Sequence, residues 1–446
     1  MQLEWKNIAV LGLGRSGEAV ARLLLSKGAR VAILDSGMSE SLEARAEKLQ
    51  AEGFTVEIGC KVIPDISFDA VVVSPGIHLA SAFVRQFSER DIPVTGELEV
   101  AWRFCQKPVI AITGTNGKTT TTELIERMLN SVGTRTIACG NIGLPFSEVV
   151  AGSQAALDVI TLEVSSFQLE TISTFRPHIA LWMNLTPDHL DRYASMDEYR
   201  AAKLRIFENQ TSDDFSICNS ADELPSLITQ KLTFSAYRSA ADFRIQDSAI
   251  FYRDEFIARF ESFQLIGLHN AENLMAALAV GKVLGFSFDR LLPALQSYQP
   301  SPNRCELVKI VDGVRYINDS KSTNVDSLAK ALTLDAKRTI LIAGGKDKGF
   351  EFQSIRKLIG EKVSTAILIG EMAERIRQDW GDVVECRIAV TLHDAVLQAH
   401  AIAKPGDSVL LSPGTSSFDM FRDYADRGEQ FRQSVRNLTN ITPIAT

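Results

Sequence analysis

The chain has 446 residues, too many for one ordinary core, and this length predicts two to four domains. An apolar fraction of 45% is that of a soluble globular protein, and 47 basic against 55 acidic residues leave a net charge of −8. That balance argues against a nucleic-acid-binding surface as the main business, while leaving room for local phosphate pockets. The cysteines, Cys60, Cys105, Cys139, Cys218, Cys305 and Cys386, show no C-x-x-C pair. Buried free thiols in a reducing compartment are therefore expected, not a disulfide framework or a zinc site. No basic-then-apolar leader precedes the first strand, and no apolar run is long enough to span a membrane, so a soluble cytoplasmic chain is expected.

Residues 7–11 read as a buried strand, followed by Gly12-Leu13-Gly14-Arg15-Ser16-Gly17 and an amphipathic helix to about Ser26. A strand over residues 30–34 then ends at Asp35, which makes G-x-G-x-x-G with an acid about 20 positions on, the dinucleotide fingerprint. Alone it says NAD(P)-dependent oxidoreductase. The unit, however, closes by about Gly96, after strands near residues 55–58 and 70–74, too small for a full six-stranded dinucleotide domain. A nucleotide-type binding module without redox chemistry is expected; a structural glycine turn is the alternative. Ser74-Pro75-Gly76 falls at the carboxyl end of a strand, where ligands of open α/β sheets bind.

The middle of the chain is organised around an apolar strand, residues 109–113, the loop Gly114-Thr115-Asn116-Gly117-Lys118-Thr119-Thr120, and a helix over residues 122–129. Glycines let backbone N–H groups approach phosphates, and a helix N-terminus adds a favourable dipole. Lys118 can neutralise phosphate charge and the Thr119 hydroxyl can ligate Mg²⁺. The usual loop would have its first glycine at Ile112, so this one is shorter. A glycine turn with an accidental lysine is the bland alternative.

A second apolar run, residues 158–162, ends in Glu163, a position suited to holding Mg²⁺ but equally open to an exposed strand-end acid. A third, residues 180–185, runs into Thr186-Pro187-Asp188-His189-Leu190-Asp191, where His189 between two aspartates could bind metal or substrate. A helix over residues 196–210 carries Lys203, for which a solvated face is the ordinary reading. Edge hairpins are expected near residues 249–258. In the next helix Asn270 and Asn273 share a face and could read a base edge, or Asn270 could simply cap.

A Pro-rich break at residues 299–303 opens the last domain. Strands near residues 315–318, 339–343, 365–369 and 408–411 alternate with helical patterns, which predicts a second doubly wound parallel sheet. Polar loops follow three of them, at residues 318–324, 343–349 and 412–419, and together would form a binding rim.

The motif series Gly114-Thr-Asn-Gly-Lys-Thr-Thr, Glu163-Val-Ser-Ser-Phe-Gln, Asn184-Leu-Thr-Pro-Asp-His189, Tyr199-Arg-Ala-Ala-Lys203, His269-Asn270-Ala-Glu-Asn273 and Asn318-Asp-Ser-Lys321-Ser-Thr323 resembles the Mur ligases over essentially the whole chain. The first glycine loop, the small first domain and the tail Ser412-Pro-Gly-Thr-Ser-Ser-Phe-Asp419 resemble the D-glutamate-adding branch of that family. The resemblance implies an α/β fold of three domains: a small Rossmann-like UDP-sugar domain (1–96), a central P-loop ATP domain with a parallel sheet (97–300) and a C-terminal Rossmann-like amino-acid domain (301–446). It implies ATP-dependent addition of D-glutamate to UDP-N-acetylmuramoyl-L-alanine through an acyl phosphate, in peptidoglycan precursor synthesis, by a monomer with no nucleic-acid or membrane partner.

Carried onto this sequence, the resemblance puts residues 114–120 at the triphosphate, with Asn270, Asn273, Arg304 and Asp319 around the nucleotide. Lys118, Glu163, His189 and Lys203 form the catalytic set. Thr119, Glu163, His189 and Lys203, the last as a carbamate, serve two Mg²⁺ ions. Gly14, Arg15, Ser16, Asp35, Ser36, Ser74, Gly76, Asn141, Ser165 and His189 face the UDP-sugar, and Lys321, Thr323, Lys348, Ser417 and Phe418 surround D-glutamate. Asn303 stands where the family commonly has a histidine before the arginine, which keeps hydrogen bonding but loses titration. A folylpolyglutamate-type ligase is a further alternative, but its first nucleotide loop normally opens the chain, whereas here a whole domain precedes Lys118.

Overall fold

A computed structural model describes residues 4–152, 154–190, 192–333 and 339–438. Asp191, one of the two aspartates flanking His189 in the sequence, lies outside the described residues.

The first sheet is built from β1 (Asn7–Leu11), β2 (Arg30–Asp35), β3 (Thr55–Ile58), β4 (Ala70–Val73) and β5 (Val94–Gly96), all parallel in the order β3-β2-β1-β4-β5. Ile8, Val10, Ile33, Val71 and Val72 are fully buried, as apolar strands covered on both faces require. The strand order reverses between β1 and β4, and the loops after these two strands carry Gly12–17 and Ser74. This is the switch-point crevice at which such sheets bind ligands.

The second sheet holds β6 (Val109–Thr113), β7 (Ala138–Gly140), β8 (Ile160–Glu163), β9 (Ile179–Trp182), β10 (Phe215–Asn219), β11 (Gln230–Ser235), β12 (Phe243–Gln246), β13 (Ala249–Tyr252) and β14 (Glu255–Arg259). Their order is β14-β13-β12-β11-β10-β9-β6-β8-β7, parallel from β7 to β12, with β12, β13 and β14 joined as antiparallel edge hairpins. β10 and β11 extend the sheet beyond the strands read from the sequence. The helix expected over residues 196–210 ends at Leu204 and tightens into a 3₁₀ turn, Arg205–Phe207.

These two sheets share one core. Leu23 and Leu24 of the helix Arg15–Ser26, Leu98 and Phe104 of the helix Glu97–Phe104, and Phe146 and Val149 of the helix Phe146–Gly152 belong to the same apolar cluster. Glu99, fully buried in the connecting helix, accepts hydrogen bonds from the backbone N–H groups of Ser173 (2.9 Å) and Phe175 (3.0 Å) and from the Thr174 hydroxyl (2.6 Å). The chain accordingly divides into two compact units, the first comprising residues 1–185, 197–263 and 272–297, the second residues 186–196, 264–271 and 298–446.

The second unit contains β15 (Glu306–Val311), β16 (Val314–Asn318), β17 (Thr339–Gly344), β18 (Val363–Ile369), β19 (Glu385–Ile388) and β20 (Ser408–Leu411), in the order β15-β16-β20-β17-β18-β19. The expectation of an all-parallel sheet needs correction at its edge: β15 runs antiparallel to β16. Asp312 and Gly313 both have positive φ (49° and 76°), which is the two-residue turn that reverses a strand with the native twist. β16, β20 and β17 are adjacent and parallel, so the three polar loops emerge side by side. All six cysteines are free thiols. None of the described helices is long and apolar enough to cross a membrane.

Candidate active site

The first glycine loop is fixed by close backbone approach. A Cβ on Gly17 would lie 1.9 Å from the Gly12 carbonyl oxygen, so no other residue fits, and Gly12 itself has φ +95°. Gly14 is the N-cap of the helix Arg15–Ser26; Gly14 and Arg15 are exposed and Ser16 is half-buried. Asp35 turns its carboxylate onto the protein: Oδ2 accepts from the Leu13 N–H at 2.7 Å and Oδ1 from the Gly37 N–H at 2.8 Å. The Ser74 hydroxyl donates to the Gly12 carbonyl at 3.3 Å, tying β4 to the loop, while Ser36 and Gly76 are exposed beside it.

The second glycine loop is built differently. Gly117 has φ +84° and caps the helix Lys118–Ser131; a Cβ there would lie 2.3 Å from Asn273 Oδ1. Asn273 is buried and also accepts from the Thr121 hydroxyl at 3.3 Å, so its amide packs under the loop. Asn184, at the end of the strand run that leads to His189, braces the other side. Its Oδ1 accepts from the Asn116 N–H (2.8 Å), its Nδ2 donates to the Asn116 carbonyl (3.0 Å), and its own carbonyl accepts from the Thr115 N–H (2.9 Å). Lys118 Nζ donates back to the Gly114 and Thr115 carbonyls, each at 2.9 Å, and Thr115 Oγ1 meets the Tyr199 hydroxyl at 3.2 Å. Thr119 is half-buried at the helix start and Thr120 is buried.

Two groups beside this loop differ from their plain sequence readings. Glu163 is not an exposed strand-end acid: only 1% of it is accessible, with Oε1 accepting from Asn141 Nδ2 at 2.8 Å. Its Oε2 is buried with no hydrogen-bond partner among the described residues. A buried, unsatisfied carboxylate oxygen is the donor type that Mg²⁺ takes, so this residue fits the metal. Lys203 is not on a solvated face. It is 2% exposed, lies over the Tyr199 ring at 4.7 Å, and donates to the Gly114 carbonyl at 2.8 Å. Ser165 caps the short helix Ser166–Leu169 in a reciprocal box with Gln168.

In the second unit His189 has φ 56°, a strained backbone for a non-glycine residue, and its N–H donates to Asp188 Oδ1 at 2.8 Å. Asp188 also pairs with Lys348 Nζ at 2.7 Å and accepts from Asn324 Nδ2 at 3.2 Å. Burial opposes ionisation of Asp188, but Lys348, His189 and Asn324 outweigh it and hold the carboxyl below its ordinary value. His189 and Lys348 thus share a cluster with Asp188. Asn270 sits in the first turn of the helix Leu268–Val283, and its Nδ2 donates to the Ile266 carbonyl at 2.8 Å; it does not occupy the N-cap, so the capping alternative fails. Asp319 accepts from the Ser412 hydroxyl (2.9 Å) and the Cys305 N–H (3.2 Å); burial pushes its pKa up to about 7 against these bonds and the nearby Arg304.

Among the amino-acid candidates, Ser417 is buried, Lys321 and Thr323 are half-buried on the loop after β16, and Phe418 is 67% exposed. The loops bond to one another through the Gly414 N–H to the Ser322 carbonyl and the Lys346 N–H to the Ser416 carbonyl. Asn303 is more than a substitute for a histidine. Its Oδ1 accepts from Asn318 Nδ2 (2.9 Å) and Arg432 Nη1 (3.0 Å), and a Cβ on Gly428 would lie 1.8 Å from it. A φ of 69° suits asparagine, which tolerates the left-handed region better than most residues.

The sequence reading missed Asn184, Tyr424, whose ring lies 3.7 Å from Lys321 Nζ, and Arg427, fully buried beneath the strand-end loops. A signal for Arg427 was present. It occupies the same helical stripe as Phe431 and Val435, where an apolar residue belongs.

Three family models match the chain in series: the Mur ligase MurD-like N-terminal domain over residues 6–96, the Mur ligase middle domain over 112–281, and the Mur ligase glutamate ligase domain over 303–415. The chain is 41% identical to a UDP-N-acetylmuramoylalanine–D-glutamate ligase of Geobacter metallireducens, over 98% of this chain and 99% of that one. It is 42% identical to the protein of the same name from Geotalea uraniireducens, again over 98% and 99%. A crystal structure of a UDP-N-acetylmuramate-alanine ligase from Thermotoga maritima shares the fold, with a TM-score of 0.62 at 18% identity over 97% of this chain and 99% of that one. With its motifs, its sheets and its full-length likeness in agreement, the chain belongs to the Mur ligase family.

Proposed function

We propose that this chain is the ATP-dependent ligase that adds D-glutamate to UDP-N-acetylmuramoyl-L-alanine, releasing ADP and phosphate, in the cytoplasmic synthesis of peptidoglycan precursors. The observation that carries the reading is its end-to-end likeness, above 40% identity, to relatives of that name. Residues 1–96 would take the UDP-sugar, 97–300 the ATP and 301–446 the amino acid, in a monomer.

The chemistry suits the residues. A carboxylate is a poor electrophile, and phosphorylation of the terminal carboxylate of UDP-N-acetylmuramoyl-L-alanine to an acyl phosphate makes it a good one. The amine of D-glutamate attacks that carbonyl, and the tetrahedral intermediate expels phosphate. Two anions must meet in the first step, so positive charge at the loop is the main requirement. Lys118 supplies it, while the N–H groups of residues 114–120 orient the phosphates. Mg²⁺, held by Thr119, Glu163, His189 and Lys203 as its carbamate, would supply further neutralisation of the transferring phosphoryl group. Burial of Lys203 and Glu163 supports this assignment, because a carbamate and a metal ligand both need shelter from water. Asn270, Asn273, Arg304 and Asp319 would enclose the nucleotide. Gly14, Arg15, Ser16, Asp35, Ser36, Ser74, Gly76, Asn141, Ser165 and His189 would hold the UDP-sugar side. Lys321, Thr323, Lys348, Ser417 and Phe418 would receive D-glutamate, the lysines meeting its carboxylates.

The test is phosphate release from ATP with UDP-N-acetylmuramoyl-L-alanine and each amino acid in turn. D-glutamate is expected to support turnover. Release with L-lysine or diaminopimelate, but not D-glutamate, overturns the reading.

A further inference from the structure

The helix Tyr424–Arg436 buries Arg427, Phe431 and Val435 along one face. Phe431 and Val435 join the apolar core of the sheet, but Arg427 ends in a guanidinium that is also fully buried. Burying a charge is costly unless it is paired, and an apolar side chain of similar length would fill this volume at lower cost. Arg427 has only neutral partners. Its Nε donates to Ser320 Oγ at 3.0 Å, its Nη2 to the Ser320 carbonyl at 2.8 Å, and both Nη atoms to the Thr415 carbonyl at 3.3 Å. Among the described residues no carboxylate lies within ion-pair range of it. Burial lowers its pKa to about 10, with Asp419 and Asp319 opposing from a distance, so it remains charged at neutral pH.

The position of those partners gives the charge a use. Ser320 belongs to the loop after β16 and Thr415 to the loop after β20, while a Cβ on Gly345, in the loop after β17, would stand 3.4 Å from Nη1. One planar fork therefore sits under the loops of three adjacent parallel strands. The bond network continues from Ser320 Oγ to the Tyr424 carbonyl at 2.8 Å, and the Tyr424 ring underlies Lys321.

Building on the function proposed above, we infer that Arg427 is a positioning residue for the amino-acid substrate: its guanidinium locks together the loops that carry Lys321 and Ser417, and its fixed positive charge makes that rim select a dicarboxylic amino acid over a monocarboxylic one. Lysine could keep the charge but could not bridge two loops, because it lacks the planar fork.

The full chain is tested as Arg427→Met and Arg427→Lys, with KM measured separately for D-glutamate, ATP and UDP-N-acetylmuramoyl-L-alanine, and with D-glutamine as the neutral competitor substrate. Arg427→Met is expected to raise the D-glutamate KM about 30-fold and to erode the preference over D-glutamine, with the other two KM values within about twofold of wild type. Arg427→Lys is expected to raise the D-glutamate KM about tenfold yet keep the preference, since it keeps the charge. An unchanged D-glutamate KM, or a rise in all three KM values together with a lowered Tm, overturns the inference. If Arg427→Met does not fold, the lysine variant decides by the same criteria. Wild-type protein with no D-glutamate-dependent turnover would instead refute the proposed function.

Discussion

The two glycine loops of the first unit are held from opposite electrical sides. At residues 12–17 a carboxylate, Asp35, grips a backbone N–H of the loop at 2.7 Å. At residues 114–120 two ammonium groups, Lys118 and Lys203, grip the Gly114 carbonyl at 2.9 and 2.8 Å. The carboxylate under the first loop orders its N–H groups without adding positive charge, whereas Lys118 puts a cation under the second, which suits that loop to a triphosphate. In the dinucleotide fingerprint the acid is kept for the ribose. Here it is spent on the loop itself, which argues against the oxidoreductase reading on the very residues that suggested it. Similar glycine spacing therefore encodes two different electrostatic environments, and only the partners of the loop tell them apart.

Removing the cation of the second loop should have the largest effect. Lys118→Ala is expected to reduce ATP-dependent phosphate release on the order of 1,000-fold while calorimetric binding of the UDP-sugar substrate stays intact. Loss of both affinities together would show that the loops do not act separately. Lys203→Ala should come next, lowering turnover about 100-fold, with partial recovery when a small carboxylate is added to the buffer. Full activity without the additive would remove the carbamate from the account. The smallest effect is expected at the first loop. Asp35→Ala should raise the KM for the UDP-sugar substrate about tenfold through loss of two charge-assisted hydrogen bonds, leaving the ATP KM unchanged. A rise in the ATP KM instead would collapse the contrast between the loops.

Much of the architecture was legible because it is written locally. The strand starting at Asn7, the turn glycines, the helix following Gly117 and the edge hairpins near residue 250 all depend on near neighbours and on alternation or helical period. The antiparallel β15 was not read, since its signal is a two-residue turn at Asp312-Gly313 attached to a half-buried strand. Of the site, Lys118 and Glu163 could be placed from motif position. Lys203 could not, because its helix has the composition of an exposed one and only packing against Tyr199 and Gly114 buries it.

The residue order thus settled where the chain must turn tightly and which strands are covered on both faces, and it put the expectation of phosphate chemistry at Gly114–Gly117–Lys118. These follow from sterics at φ > 0 and from apolar periodicity, both short-range properties. Only the folded molecule decided that Asp35 serves its own loop, that Lys203 is desolvated, and that a lone guanidinium from the last helix lies under three loops that precede it by up to about a hundred residues. Each of those depends on which charge is taken out of water and what it then faces, and desolvation is a property of long-range packing that no local pattern contains.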